Sequence, residues 1–173
     1  MLRRLKQDDA KYMYEWMTAS DVNKYFRFDP SKISIESCEK FIKDSFNKTD
    51  RTYAIDVDGE YAGSISLKHI DMNDKNAEFA ISIRKKYRGK GLGKQAIKDI
   101  LEIAFYELKL NKVYLNVLSD NVNAIKAYEK SGFIFEGELV NHIRIDNEYK
   151  NLKLYGIWRS NYEEMYKRNW FTV

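Results

Sequence analysis

A chain of 173 residues, 44% of them AVILMFWYC and 32% charged, carries enough apolar material for one packed domain and is too short for two full ones, which excludes a disordered polymer. Thirty Lys and Arg against 26 Asp and Glu leave a formal charge of +4, spread in mixed-sign stretches, so no nucleic-acid partner is implied. Cys38 is the only cysteine and nowhere do eighteen apolar residues follow one another, which argues against a disulfide, a thiolate metal cluster and a membrane partner, and for the reducing cytoplasm.

Leu2 to Leu5 reads as a short first strand, followed by a helix that Asp8 or Asp9 caps and that runs to about Thr18, with Tyr12, Trp16 and Met17 on a similar face. Asp21 is placed to cap a brief turn to Tyr25, and Arg27 to Lys32, around the only proline, Pro30, reads as a loop. Ser34 caps the next helix, whose Cys38, Phe41, Ile42 and Phe46 recur at helical spacing. From Thr52 the period becomes two. Tyr53 to Val57, the pair Asp58-Gly59 and Glu60 to Leu67 form a hairpin signal, because Asp-Gly favours the positive backbone angles of a type I′ turn. Asp71 to Lys75 is a polar turn, and Asn76 to Ile83 is the next strand.

Leu92, Ala96, Ile97, Ile100, Leu101, Ala104, Phe105 and Leu108 mark one apolar stripe of a long helix that must pack on a sheet. Lys112 to Leu118 reads as a strand, Asn121 to Lys130 as a helix, and Ser131-Gly132-Phe133 as its stop. Phe133 to Glu138 and Lys153 to Trp158 are the last two strands, joined by a polar connection carrying His142, Arg144 and Asp146. The whole, residues 1–173, reads as one α/β (α+β) domain with a mixed, mainly antiparallel sheet of about seven strands and about four helices.

Between strand and long helix lies Arg88-Gly89-Lys90-Gly91-Leu92-Gly93. Its glycines let successive N–H groups approach a ligand, and the helix behind adds unpaired donors and a positive dipole end, so the loop reads as a phosphate cradle. The basic run Arg84 to Lys90 lies against it, placed to hold a further phosphate or simply to form a solvated face. Dinucleotide binding would need Gly-x-Gly-x-x-Gly after a first strand, and a nucleotide triphosphatase Gly-x-x-x-x-Gly-Lys-Ser/Thr; the loop supplies neither.

What it does supply is Gln/Arg-x-x-Gly-x-Gly/Ala, and Asn121-x-x-Ala124-x-x-x-Tyr128-Glu129-Lys130-x-Gly132-Phe133 follows downstream. Together these resemble the acyl-CoA loop and the later helix of the GNAT N-acetyltransferase superfamily, and the order of elements agrees from Leu2 to about Trp158. Asp58-Gly59-Glu60-x-x-Gly63, Ala77-Glu78-Phe79, Tyr87 to Leu92 and Phe135 to Leu139 are most similar to the branch of spermidine and ribosomal-protein N-terminal acetyltransferases.

The resemblance implies acetyl-CoA as cosubstrate, no metal, and direct transfer to a primary amine. It assigns cofactor contacts to Ile81, Ser82 and Ile83 on the splayed strand, to Arg88, Gly89, Lys90, Gly91, Leu92 and Gly93 in the loop, and to Asn121 and Lys130. Tyr128 would protonate the departing thiolate; seven residues after Asn121, it shares a helical face with it. Glu78 is the candidate general base, acting through water, with a structural salt bridge as its competing role. His69 and His142 have no ligand-spaced partner.

The acceptor is open among a protein N-terminus, a polyamine and an amino sugar, with walls expected around Tyr25 to Glu36 and Val140 to Lys150. Where the spermidine enzymes carry adjacent acids this chain has Arg27-Phe28-Asp29. A homodimer or larger homo-oligomer is a further expectation, and a non-catalytic acyl-CoA-binding module is the competing class.

Overall fold

A Tyr53 to Val57 run that alternates and an Asp-Gly pair that turns it back make the frame on which everything else is built. In the computed structural model, which describes residues 1–19, 29–45, 49–145 and 147–167, Asp58 and Gly59 have φ of 52° and 86°, both positive as a type I′ turn demands. The turn joins β2 (Arg51–Val57) to β3 (Glu60–Asp71), flanked by β1 (Leu2–Arg4) and β4 (Asn76–Ile83). With β5 (Lys112–Leu118), β6 (Ile134–Ile145) and β7 (Glu148–Trp158) these form a seven-stranded sheet in the order β1-β2-β3-β4-β5-β7-β6. Every neighbouring pair is antiparallel except β4 and β5, whose parallel pairing requires a crossover connection.

That crossover is α3 (Leu92–Glu102), which continues as a π turn over Ile103–Glu107. The widened turn is visible in the bond from Leu108 N–H to the Ile103 carbonyl, 2.9 Å. Together with α4 (Val122–Lys130) and α5 (Arg159–Lys167), α3 covers one face of the sheet. Ile65, Leu67, Ile100, Leu101 and Phe105 there are wholly shielded from water, each contributing about 1.5–3 kcal/mol by burial. On the other face α1 (Ala10–Met17) and α2 (Ile35–Ser45) close a smaller core of Leu5, Met13, Trp16, Cys38, Ile42, Ala54 and Tyr61.

Ser34 caps α2 as its sequence suggests, its Oγ accepting from Ser37 N–H at 3.1 Å while Ser37 Oγ accepts from Ser34 N–H at 3.0 Å. Asp9 does not cap α1 with its side chain. It is buried, accepts from Lys6 N–H at 2.8 Å and takes both terminal nitrogens of Arg3 at 2.8 and 2.9 Å.

Three expectations change. The polar connection after Glu138 is strand: β6 and β7 run out as a long hairpin, exposed along most of β6, where no buried face imposes a two-residue alternation. α5 is a fifth helix among the described residues, beyond the four expected; its sequence is mostly polar, and it is held by Tyr162 against Phe105, ring centroids 5.4 Å apart. β3 extends four residues past Leu67 through a register irregularity between Lys68 and Asp71, with His69 at φ 49°. The expected turn from Asp21 to Tyr25, together with Arg27, Phe28, Phe46 and Asp146, lies outside the described residues.

Candidate active site

β4 and β5 are paired only at their beginnings, through Asn76↔Lys112, Ala77↔Val113 and Glu78↔Tyr114. Beyond Glu78, β4 continues to Ile83 paired to β3 alone, and beyond Tyr114, β5 continues to Leu118 paired to β7 alone. Two adjacent strands therefore diverge, and each turns a row of backbone N–H and C=O groups toward the gap. An extended ligand with amides at strand-like spacing can add to such an edge as a strand would. Ile81, Ser82 and Ile83 line the β4 side of the gap, partly buried.

The glycine loop stands at the mouth of this gap. Gly89 and Gly91 have φ of 74° and 76°, and Gly91 occupies the N-cap of α3. Gly93 is small for a different reason: a Cβ there would come 3.2 Å from Ile83 Cδ1, so the helix lies close on the end of β4. Among the described residues, the N–H groups of Gly89, Lys90, Gly91, Leu92 and Gly93 donate to no acceptor, and the helix dipole adds to their positive potential. Arg88 braces the loop by donating from Nε to the Ile83 carbonyl at 2.8 Å. Lys90 is exposed, its Nζ 5.9 Å from the centre of the Tyr87 ring.

The basic run is less available than its sequence suggests. Arg84 turns inward: its guanidinium lies 4.4 Å from the centre of the Tyr12 ring and donates to the Tyr61 carbonyl at 3.0 Å and to Glu15 at 2.6 Å. Lys86 pairs with Glu60 at 2.6 Å, and the Tyr87 hydroxyl donates to the same carboxylate. Arg84 thus ties the end of β4 to α1 and does not face a phosphate, because burial of its charge demands those protein partners.

Tyr128 and Glu78 approach the gap from opposite sides. Tyr128, on α4, packs edge-on against Phe79 at 5.9 Å and against Phe133 at 6.0 Å between ring centres. Phe79 and Glu78 are consecutive on β4, so their side chains leave the sheet on opposite faces. Burial pushes the Tyr128 phenol up to about 12, and its hydroxyl has no hydrogen-bond partner among the described residues. Glu78 stands at the last paired position before the strands part. Across from it on β5, Tyr114 has its phenol pushed up by burial first and then by the Glu78 charge.

Asn121 stands just before the first turn of α4, outside the helical repeat, so the expected shared face with Tyr128 gives way to a capping position. Its Oδ1 accepts from Ala124 N–H at 3.4 Å. Gly132, φ 93°, ends the same helix with Phe133 N–H donating to the Tyr128 carbonyl at 3.1 Å and Gly132 N–H to the Glu129 carbonyl at 3.0 Å. Lys130 is exposed in the last turn, and Ile134 close behind it lies level with Gly156 and Tyr114, near the start of β5. Tyr114 is in turn paired with Glu78, so the strand that follows Lys130 starts level with the point where β4 and β5 part.

His69 has a partner that sequence spacing did not show. The irregularity in β3 swings it beside Glu78, Nδ1 to Oε2 2.8 Å, and its backbone N–H donates to Asp50 at 3.0 Å. Nothing in a nine-residue separation signals this contact; only the register of β3 on β4 creates it.

A parted strand pair, a glycine loop with unspent N–H donors at its mouth and a buried phenol beside it are the features that an acyl-CoA-dependent acyltransferase requires. Residues 1–134 match the acetyltransferase (GNAT) domain family, and the chain belongs to that family. It is similar to the spermidine N(1)-acetyltransferase of Escherichia coli (strain K12), 34% identical over 150 residues, which covers 87% of this chain and 81% of that one. The corresponding enzyme of Vibrio cholerae is 29% identical over 162 residues, covering 93% and 94%. The crystal structure of the Vibrio cholerae spermidine N-acetyltransferase in complex with CoA and spermine superposes with a TM-score of 0.85 at 28% identity, over 94% of this chain and 96% of that one. The reaction is acetyl transfer from acetyl-CoA to an amine, and the relatives' enzymatic character sets aside the reading as a mere binding module.

Proposed function

We propose that the acceptor is an aliphatic polyamine and that its primary amine attacks the thioester directly in a ternary complex. The observation that carries the direct mechanism is the divergence of β4 from β5 with Tyr128 and Glu78 on opposite faces. The pantetheine arm lies along Ile81 to Ile83, and the pyrophosphate on the N–H groups from Gly89 to Gly93. Tyr128 gives its proton to the departing sulfur, and Glu78, through water, receives one from the amine. Asn121 borders the same opening at the start of α4.

The polyamine reading is supported by the relatives, which are named for spermidine, one of them with spermine bound. The acid that this chain keeps in Arg27-Phe28-Asp29 is committed locally, since Asp29 Oδ1 accepts from Ser31 N–H at 3.0 Å and from Ser31 Oγ at 2.7 Å. A polyamine therefore meets a different arrangement of acids here. We read residues 1–173 as one catalytic domain working in the cytoplasm as a homo-oligomer; no helix among the described residues is long and apolar enough to cross a membrane.

The test is an acceptor screen with acetyl-CoA over spermidine, spermine, glucosamine, free amino acids and short peptides, read by mass spectrometry. Acetylated spermidine or spermine is the expected product. Exclusive acetylation of a peptide or of glucosamine would replace the polyamine by that class.

A further inference from the structure

Acetyl transfer to an amine leaves a proton to be disposed of. The acceptor nitrogen enters as an ammonium and ends as an amide N–H, so it sheds two protons as the C–N bond forms and the C–S bond breaks. One replaces the proton that Tyr128 gives to the CoA sulfur. The other is released, and a carboxylate whose ordinary pKa is near 4 cannot hold it for long at neutral pH.

The Glu78 carboxylate is 28% exposed, and His69, whose Nδ1 lies 2.8 Å from its Oε2, is 72% exposed. Glu78 thus stands where β4 and β5 part, and His69 beside it is open to water. An imidazole exchanges protons near neutrality, which a carboxylate alone does not.

We propose that His69 is the proton exit of the site, a positioning and relay residue that acts through Glu78. This rests on the reading of Glu78 as base. The amine's proton passes through water to the Glu78 carboxylate and from there to the Nδ1 lone pair of neutral His69. The imidazolium then releases a proton from Nε2 to solvent, and exchange with water restores the starting tautomer. The charged and titratable groups around the pair are Lys68, opposite Glu78 on β3, Tyr114, opposite it on β5, Asp50, which holds the His69 N–H, and Asp71 at the end of the irregular stretch. His69 has φ 49°, a conformation that an Asn adopts readily, which makes His69→Asn a substitution the backbone accepts.

The experiment is steady-state turnover of spermidine with acetyl-CoA, followed by thiol release, from about pH 6 to about pH 10 for the wild type, His69→Asn and Glu78→Gln. The wild type should gain activity as the pH rises. His69→Asn should be slower by roughly tenfold at neutral pH, converge on the wild type where the amine supplies its own free base, keep its KM for acetyl-CoA, and recover with added imidazole. A loss that is equal at every pH, or no loss at neutral pH, overturns the relay. Glu78→Gln with wild-type activity removes the base reading itself, whereas a slow Glu78→Gln beside an unimpaired His69→Asn removes the relay alone. If spermidine is not turned over, the polyamine reading falls, and the same profiles are taken with the amine that the acceptor screen identifies.

Discussion

In the proposed mechanism Tyr128 has to keep its proton until a thiolate needs it. The rings of Phe79 and Phe133 wall it in, and burial raises its phenol to about 12, so it stays protonated throughout the neutral range. Replacing Tyr128 by Phe retains both ring contacts and removes only the hydroxyl. We expect kcat to fall by roughly 100-fold with KM for acetyl-CoA nearly unchanged, measured by steady-state kinetics; equal losses in both would make the ring, and not the hydroxyl, the important part. The helix that carries Tyr128 was legible in the sequence because Asn121 and Gly132 mark its ends. The contact of His69 with Glu78 was not, since it depends on how two strands are registered.

Among elements, the end of β4 carries the tightest constraint. A Cβ on Gly63 would lie 2.1 Å from the Ser82 carbonyl oxygen and 3.0 Å from Ile83 Cα, so β3 and β4 approach too closely there for any side chain. Gly63→Ala should push β4 away at the residues that border the gap between β4 and β5. The expected cost is on the order of 3 kcal/mol, a fall in Tm of roughly 6–12 °C. Scanning calorimetry checks it, with Gly59→Ala as a comparison at an open turn, where only the backbone cost of about 1 kcal/mol applies. The same elements show where periodicity suffices. β4, β5 and the two helices after them follow from apolar spacing, because each buries one face. The β6–β7 hairpin and α5 escape it, since the former buries little of β6 and the latter is anchored chiefly by Tyr162.

Across the whole molecule, several tyrosines are poised to report on folding. Burial is the first cause that pushes Tyr61, Tyr128 and Tyr155 up to about 12, and Tyr162 is raised further. The folded chain therefore holds phenolic protons that the unfolded chain, titrating near 10, gives up. Stability from these groups is fully present below about pH 10 and is lost as pH rises toward about 12. Urea denaturation followed from about pH 8 to about pH 11.5 should show a flat midpoint that drops beyond about pH 10; a constant midpoint would mean that the buried phenols titrate normally. The residues in order were enough for the class of fold, the family and the glycine turn that leads into α3, because local patterns of glycine, apolar spacing and motif carry those. Packing in three dimensions was needed to turn Arg84 inward and to bring His69 to Glu78. Those outcomes depend on strand register and burial of charge, and no local pattern encodes them.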